Sequence, residues 1–421
     1  MKTLQLEQIV FRSDLYPRIE TSAVTVQKYT EDLSVLPPIE VNQNNELIDG
    51  WHRWTAHKKA EAKEITVVVT KTKSDAELLE LAIERNAKHG MQLSQRDKKG
   101  MATRIYNGTP DKERDDCKKR LATILSVPDR TIRDWLSRID KDAKEERDRR
   151  IFDLWLACWT QQEIADEIGV TQGEIAKSIP NGDIAILNKS ERAAAEHATD
   201  FDPPIYNVWK QQEKTKGNDH FGNSEVRWLD NLLYLYTSPF DVVIDPFAGG
   251  GSTIDLCRKR FRRYFVSDRK PIVEREKEIR SHDVVTDGLP KPPQWKDVNL
   301  VYLDPPYWKQ AENKYSKDKT DLANMDLDAF HDTCSDLIGS FAKKLSGSVI
   351  ALLMQPTQWN SPKHEYTDHV AEMIRRVKLP IIMRVQCPYE SQQCNAQMVD
   401  WAKEQKQILV LSRELVVWRI E

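Results

Sequence analysis

The sequence predicts an α/β protein in successive parts, and three observations carry that reading. Short apolar strands alternate with helical runs over residues 217–421, the pattern of a mostly parallel sheet. A second, smaller mixture of strands and helices fills residues 1–92. Residues 93–180 between them are rich in helix formers and charge and show no strand alternation.

In the first part the strand candidates are LQLEQIV from Leu4, PPIEVNQNNELIDG from Pro37 and ITVVVT from Ile65. Helices are expected over Trp51–Ala62 and Ser74–Asn86, the second opened by Ser74 and Glu77 in the S-x-x-E spacing of a capping box. Residues 181–216 hold Pro203, Pro204 and few periodic apolar positions, so a linker or partly ordered arm is expected there. In the last part the strands are expected at FDVVID (240–245), RRYFVSD (262–268), NLVYLD (299–304), SVIALLM (348–354), IIMRVQ (381–386) and ILVLSREL (408–415).

A chain of 421 residues with 39% hydrophobic and 31% charged residues is expected to fold as two or three soluble domains. The formal net charge is −3, so any surface for a polyanion must be local. Six cysteines, Cys117, Cys158, Cys257, Cys334, Cys387 and Cys394, include no C-x-x-C pair. That spacing suits reduced thiols rather than a zinc site or a disulfide framework, and no metal is expected. With no leader-like start and no apolar run of about 18 residues, no membrane association and a cytoplasmic location are expected.

Two motifs carry chemistry. Asp245-Pro-Phe-Ala-Gly-Gly-Gly-Ser-Thr253 follows an apolar strand and precedes a helical run. Glycines at that junction allow a tight turn and a close ligand approach, but no Gly-Lys-Ser/Thr follows to make a phosphate loop. Asp304-Pro305-Pro306-Tyr307 ends the strand NLVYLD. Its prolines stiffen the turn and remove two donors, leaving the Asp304 carboxylate and nearby carbonyls as acceptors beside an aromatic face. Such a site can hold an NH2 group. The amino nitrogen of adenine or cytosine is a poor nucleophile because its lone pair is delocalised. Hydrogen bonds to Asp304 and the Pro305 carbonyl would localise it, and close positioning against a methyl donor supplies most of the rest. A base must leave its duplex to arrive there, with Tyr307, helped by Trp308, receiving it by stacking.

Residues 217–421 therefore resemble the amino-methylating DNA methyltransferases, whose paired hallmarks are a D-P-F-x-G-x-G loop and a D/N/S-P-P-Y/F/W tetrapeptide. The resemblance implies a Rossmann-like methyltransferase sheet, S-adenosyl-L-methionine as methyl donor, and double-stranded DNA with base flipping as partner. It assigns Asp304, Pro305, Pro306 and Tyr307 to catalysis. The donor falls to Asp245, Pro246, Phe247, Ala248, Gly249, Gly250, Gly251 and Thr253, with Asp268 on the ribose and Asp287 near the adenine. Phe221, in Asn218-Asp-His-Phe221, matches the upstream donor element. Asp at the first tetrapeptide position leans toward N6 of adenine over N4 of cytosine. The 52 residues between Gly251 and Asp304 leave no room for a large target-recognition insertion there. The loop from Lys309 to Asp328 is expected to be a surface loop or a lid over the flipped base.

The helical part holds two helix-turn-helix patterns. One runs from Arg120 to Leu136, with Arg130, Arg133 and Arg138 on its exposed face. The other runs from Thr160 to Ile179, with Thr171 as cap and Gln172, Glu174 and Lys177 facing outward. Residues 96–150 carry 17 Lys/Arg against 12 Asp/Glu, a local excess suited to phosphates. DNA contact is expected from Arg130, Arg133, Arg138, Gln172 and Lys177, with protein contact as the other reading.

Near the N-terminus, Gly50-Trp-His-Arg-Trp-Thr-Ala56 opens a helix, and Gly50, His52 and Arg53 form a candidate phosphate site. The turn resembles the G-x-H/R-R-x-x-A element of ParB-like nuclease/partition domains, which implies a nucleotide or a DNA phosphate at this turn. Glu84-Arg-Asn-Ala-Lys-His-Gly90 is similar to that family's second box. It departs from E-N-x-Q-R because its acidic residue and asparagine are not adjacent and no Gln-Arg follows. Joined, the parts suggest a phage- or bacterial-type modification enzyme, with a restriction-modification setting and a homodimer both compatible. The rival readings are a non-catalytic ParB-like regulator and a methyltransferase acting on RNA or a protein amide.

Overall fold

The computed structural model describes residues 2–88, 93–179, 184–210, 225–314, 316–359, 365–388 and 396–421. The chain divides into two compact units, Met1–Glu146 and Arg147–Glu421.

The first unit contains strands β1 (Lys2–Gln5), β2 (Ile39–Val41), β3 (Leu47–Asp49) and β4 (Glu64–Val69). They form one sheet in the order β1-β4-β2-β3. Strand β4 alternates, so Ile65 and Val67 enter the core with Leu4, Ile39, Val41 and Trp54. The β2–β3 turn is pinned by the Asn42 side chain, which accepts the N–H groups of Asn44 and Glu46 at 2.9 Å each. Helices α1 (Ala23–Glu31), α2 (Trp51–Lys59) and α3 (Asp75–Lys88) accompany this sheet. Ser74 does cap α3, accepting the Glu77 N–H at 3.2 Å, but the Glu77 carboxylate reaches back to the Lys73 N–H at 2.6 Å rather than to Ser74.

Helices α4 (Gln95–Asn107), α5 (Arg114–Ile124) and α6 (Asp129–Leu156) follow. Leu79 and Ile83 of α3 join Met101, Tyr106, Leu121, Leu125, Ile132 and Leu136 in a second core. The first helix-turn-helix pattern is thus α5, a turn through Ser126 at φ 52°, and the start of α6. The division between the two units falls inside α6.

In the second unit, α7 (Gln161–Ile168) and α8 (Gln172–Ser178) form the second pattern around Gly169 at φ 78°. Both have capping boxes, Thr160 with Glu163 and Thr171 with Glu174. After α9 (Lys189–Ala195) and α10 (Val226–Tyr236) come β5 (Val242–Asp245), α11 (Ser252–Arg260), β6 (Arg263–Asp268), β7 (Arg280–Ser281) and β8 (Val298–Leu303). Then follow α12 (Leu327–Ala342), β9 (Val349–Met354), the short pair β10 (Thr357–Trp359) and β11 (Glu365–Thr367), and α13 (His369–Arg376). Strand β12 (Ile381–Pro388), α14 (Ala396–Glu404) and β13 (Ser412–Arg419) end the chain.

The large sheet has seven strands in the order β12-β13-β9-β8-β5-β6-β7. From β9 to β7 all neighbours pair parallel, and β13 runs antiparallel between β9 and β12. Alternate residues feed opposite faces. Val243, Val266, Leu300 and Ala351 pack on one side with α10, α11 and the α7–α8 pair. Ile244, Phe265, Val301 and Leu352 pack on the other with α12 and α13. The order reverses between β5 and β8: from β5 the chain goes to β6 on one flank and then returns to β8 on the other. Loops at the carboxyl ends of such a pair diverge and leave a crevice.

Two expectations need correction. The last strand is SRELVVWR at 412–419 rather than ILVLSREL at 408–415, because the sheet takes the buried run Leu415–Trp418 and leaves Ile408 in solvent. The expected linker is anchored at a few points, although much of its described length is exposed. Leu187, Ala195, His197 and Trp209 are buried, and Trp209 N–H donates to the Gln386 carbonyl at the β12 edge at 2.8 Å. Arg260 and Arg262, both buried, take the carbonyls of Ala194 and Ala195, so this stretch satisfies charges that the sheet unit could not otherwise bury.

Candidate active site

At the carboxyl end of β5 the chain turns through Pro246–Gly251 into α11. Asp245 shapes that loop from beneath, accepting the Phe247 N–H at 2.9 Å and the Thr253 hydroxyl at 2.5 Å. Burial drives the Asp245 carboxyl up to about 7; those two hydrogen bonds oppose the shift, and neighbouring Asp304 and Asp268 add to it. Gly251 caps α11 at φ 81°, and a Cβ there would stand 2.6 Å from Arg275 Nη1. Its carbonyl accepts that same Nη1 at 2.7 Å.

At the end of neighbouring β6, the Asp268 carboxylate accepts the Gly249 N–H at 3.0 Å and the Lys270 N–H at 2.8 Å. One carboxylate thus ties the glycine loop to the next strand's turn. On the other flank, β8 delivers Asp304-Pro-Pro-Tyr307. Tyr307 donates its hydroxyl to Asp304 Oδ1 at 2.8 Å. The Arg413 guanidinium, from the start of β13, lies 3.9 Å from Asp304 Oδ2 and 4.8 Å from the centre of the Tyr307 ring. Burial holds the Tyr307 and Tyr302 hydroxyls well above the usual phenol range.

One cavity of about 880 Å³ is lined from both flanks of the switch point. Asp245, Pro246, Phe247, Ala248, Gly249, Thr253 and Asp268 line it on one side, and Asp304, Pro305, Pro306 and Tyr307 on the other. Gly250 and Gly251 are not on its wall; Gly251 serves as the helix cap. Asp287 is exposed and off the wall, accepting the Asp283 N–H at 2.9 Å in a local turn. The acidic residue of that segment that lines the cavity is Asp283. Phe221 lies outside the described residues. Trp308 is buried in the core and donates its indole N–H to the Met325 carbonyl at 2.8 Å, so it is not the second stacking face that the sequence suggested.

The loop after Tyr307 forms a wall. Gln310, Lys314, Thr320 and Asp321 line the cavity, and Asn324 holds the Ser316 and Asp318 carbonyls at 3.0 and 2.8 Å. Arg269, just after β6, meets this wall through Asp318 at 2.5 Å and the turn after β7 through Asp283 at 3.4 Å. Beneath it runs a buried chain: His331 Nε2 meets His369 Nδ1 at 2.9 Å, His369 Nε2 meets Thr357 Oγ1 at 2.9 Å, and Thr357 donates to the Trp308 carbonyl at 3.2 Å. With the Thr357 proton committed to that carbonyl, His369 donates from Nε2 and accepts from His331.

Sequence reasoning missed Arg413, Asp283, Gln310 and Glu225 on the cavity wall. Arg413 sits where strand alternation turns one side chain of β13 toward the carboxyl ends of β8 and β9, which no local motif marks.

The remaining candidates lie elsewhere. Arg130, Arg133 and Arg138 are exposed in the first unit, Arg133 and Arg138 pairing with Asp129 at 2.6 Å and Asp142 at 3.8 Å; Gln172 and Lys177 are exposed on α8 in the second. At the N-terminal turn, Arg53 is committed to Asp49 at 2.6 Å and to the Pro37 and Pro38 carbonyls at 3.0 and 2.6 Å. His52 accepts the Ser22 N–H at 2.9 Å, and burial holds its pKa below the usual value. Gly50 is required by its φ of 104° and by Ile39, whose Cγ2 would lie 2.6 Å from a Cβ. Arg53 and His52 thus have partners within the turn that Gly50 shapes. In the second box, Asn86 is buried and bonds the Ala82 carbonyl at 2.8 Å, while His89 and Gly90 lie outside the described residues.

A family model described as DNA methylase, N6_N4_Mtase, matches residues 49–275, more than half of the chain. The chain belongs to this DNA methylase family. The matched range takes in the Asp245 loop and Asp268 and stops before Asp304. Among solved structures, a pNOB8-like ParB N-terminal domain is similar at 16% identity, over 32% of this chain and 68% of that one, with a TM-score of 0.28. The C-terminally truncated partitioning protein ParB of Caulobacter crescentus is similar in two complexes. With CTP-gamma-S the identity is 18% over 32% and 76% of the chains at TM-score 0.20. With the centromeric parS site it is 17% over 47% and 83% at TM-score 0.21. No curated protein matches the chain. Among the described residues no helix is long and apolar enough to cross a membrane.

Proposed function

We propose that this DNA methylase transfers the methyl group of S-adenosyl-L-methionine to an exocyclic amino nitrogen in double-stranded DNA, N6 of adenine ahead of N4 of cytosine. The observation that carries the reading is the single cavity shared by the glycine loop after β5 and the Asp304–Tyr307 turn after β8. The residues present fit such a donor. Asp245, Asp268, Asp283 and Asp304 surround apolar Phe247, Ile272 and Val284, matching a ligand with a cationic centre, ribose hydroxyls and a flat base. When bound, the donor supplies an electrophilic methyl group on sulfur.

The chain's own residues do the rest. Asp268 accepts the ribose hydroxyls while its backbone bonds keep the glycine loop in place. Asp304 and the Pro305 carbonyl accept the two protons of the target amino group and localise its lone pair. Tyr307 offers a ring face to a base taken out of the duplex, and the loop through Gln310 and Asp321 excludes water from it. Arg130, Arg133 and Arg138, with Gln172 and Lys177, contact the DNA backbone and grooves.

The test is mass spectrometry of nucleosides from unmethylated DNA incubated with protein and donor, with Asp304→Ala as control. N6-methyladenine or N4-methylcytosine that depends on Asp304 supports the reading. Donor binding with no methylated nucleoside would sink it, in favour of a DNA-binding regulator or an RNA or protein-amide acceptor.

A further inference from the structure

We propose that Arg413 is a positioning residue for the methyl acceptor, holding the Tyr307 ring and the Asp304 carboxylate in their working arrangement. The inference rests on the reading of Asp304 as the amino acceptor.

Its starting point is a charge in an unexpected place. Arg413 opens β13 ahead of the apolar run Leu415–Trp418 and pairs in register with buried Cys387 of β12; its neighbour Glu414 is answered by Arg384 at 2.5 Å. A guanidinium removed from water costs several kcal/mol unless partners compensate it. Arg413 is 7% exposed and lies against the cavity. Its Nη1 is 3.9 Å from Asp304 Oδ2, and its guanidinium is 4.8 Å from the Tyr307 ring centre and 5.9 Å from that of Trp228. Tyr307 closes the triangle through its 2.8 Å hydroxyl contact to Asp304.

Each side of the triangle has a consequence. The guanidinium lies over the Tyr307 ring, which lines the cavity, so the ring need not be ordered when a base arrives. The groups facing Asp304 and Arg413 from neighbouring elements are Asp245, Tyr302, Tyr307 and Cys387; among them Arg413 is the cation. It sets a positive charge beside the Asp304 carboxylate, 3.9 Å from Oδ2, on the side that the Tyr307 hydroxyl does not take. A carboxylate oxygen has two acceptor sites, so the Tyr307 hydroxyl and an incoming amino group can share Asp304.

The experiment compares Arg413→Met and Arg413→Lys with the wild type in single-turnover methyl transfer across pH, with donor affinity measured by calorimetry. Arg413→Met is expected to lower the rate about a hundredfold and to move the acid limb of the profile to higher pH, because a neighbouring cation is lost. Donor affinity should stay within about twofold, and a crystal structure should show Tyr307 released from Asp304. Arg413→Lys keeps the charge but not the planar face, so the acid limb should stay put while the rate still falls. A wild-type rate and acid limb in Arg413→Met would overturn the proposal. So would a lowered rate with an unmoved acid limb, which marks a merely structural role, or a loss of donor affinity, which moves Arg413 to the donor site. Should Arg413→Met fail to fold, a wild-type rate in Arg413→Lys overturns it. Transfer surviving in Asp304→Ala would instead remove the acceptor reading beneath it.

Discussion

Arg260 grips Asp230 with both arms of its guanidinium, Nε to Oδ1 at 2.8 Å and Nη2 to Oδ2 at 2.7 Å, with the arginine wholly buried. The same arginine reaches Asp200 at 2.6 Å and the Ala194 carbonyl at 3.0 Å, and His197 meets Asp230 at 2.9 Å. Burial pushes the Asp230 carboxyl up, but hydrogen bonds from His197 and Arg260 overcome it and hold the group below the usual range. This cluster fastens residues 194–200 to α10 and α11. Asp230→Ala leaves Nε and Nη2 of a buried guanidinium without their partner, though Asp200 still holds Nη1, and should cost about 3 kcal/mol. Chemical denaturation of wild type and variant measures it, and a loss below about 1 kcal/mol would mean that the cluster behaves like a surface pair.

A histidine at the other face of the sheet makes stability depend on pH. Burial, with the neighbouring His331, lowers the His369 pKa from 6.5 to about 3. The unfolded chain therefore takes up the proton first, so the stability is fully present above pH 6.5 and drains away as the pH falls toward 3. The slope is about 1.4 kcal/mol per pH unit for this one group. His369→Gln keeps a donor and an acceptor but cannot titrate. Its unfolding free energy between pH 5 and 6.5 should fall less steeply by about one proton, and an unchanged slope would assign the acid sensitivity to His331, His197 or His52, which are also lowered.

Asp268, proposed to hold the donor, should separate donor binding from chemistry. Its carboxylate holds two backbone N–H groups, from Gly249 and Lys270, and each belongs to a loop of the cavity wall. Charge-assisted bonds of this kind contribute about 1.5–3 kcal/mol each. Asp268→Ala should weaken donor affinity by roughly 10- to 100-fold, read by calorimetry, while the transfer rate at saturating donor changes less. An affinity equal to that of the wild type would remove Asp268 from the donor site.

Part of this site was legible from local order alone. Asp245, Asp268 and Asp304 end continuous apolar runs that the sheet buries on both faces, and the motifs beside them carry the resemblance. Arg413 was not legible, because its partners lie more than a hundred residues earlier in sequence and its own strand was placed four residues too early. Asp287 and Asp283 differ only in which one the turn directs into the cavity, a choice fixed by backbone geometry. The 184–210 segment resembled a linker because its few anchors are buried charges and carbonyls, which leave no apolar periodicity.

Asp245 offers a proton-linked signature of donor binding. Its pKa of about 7 arises first from complete burial, against the pull of Thr253 and Phe247, with Asp304 and Asp268 adding repulsion. A raised carboxyl is protonated in the folded state over the range where the unfolded one is charged, so its stabilising effect is lost as pH rises through about 7. A cationic donor entering the cavity favours the charged form and must expel that proton. At about pH 6.5 binding should release a large fraction of one proton, and at about pH 8.5 almost none. Calorimetry in buffers of different ionisation enthalpy measures the release directly. Asp245→Asn, which keeps an acceptor for the Phe247 N–H, should abolish the pH 6.5 release; the same release in that variant would place the titrating group elsewhere in the cavity.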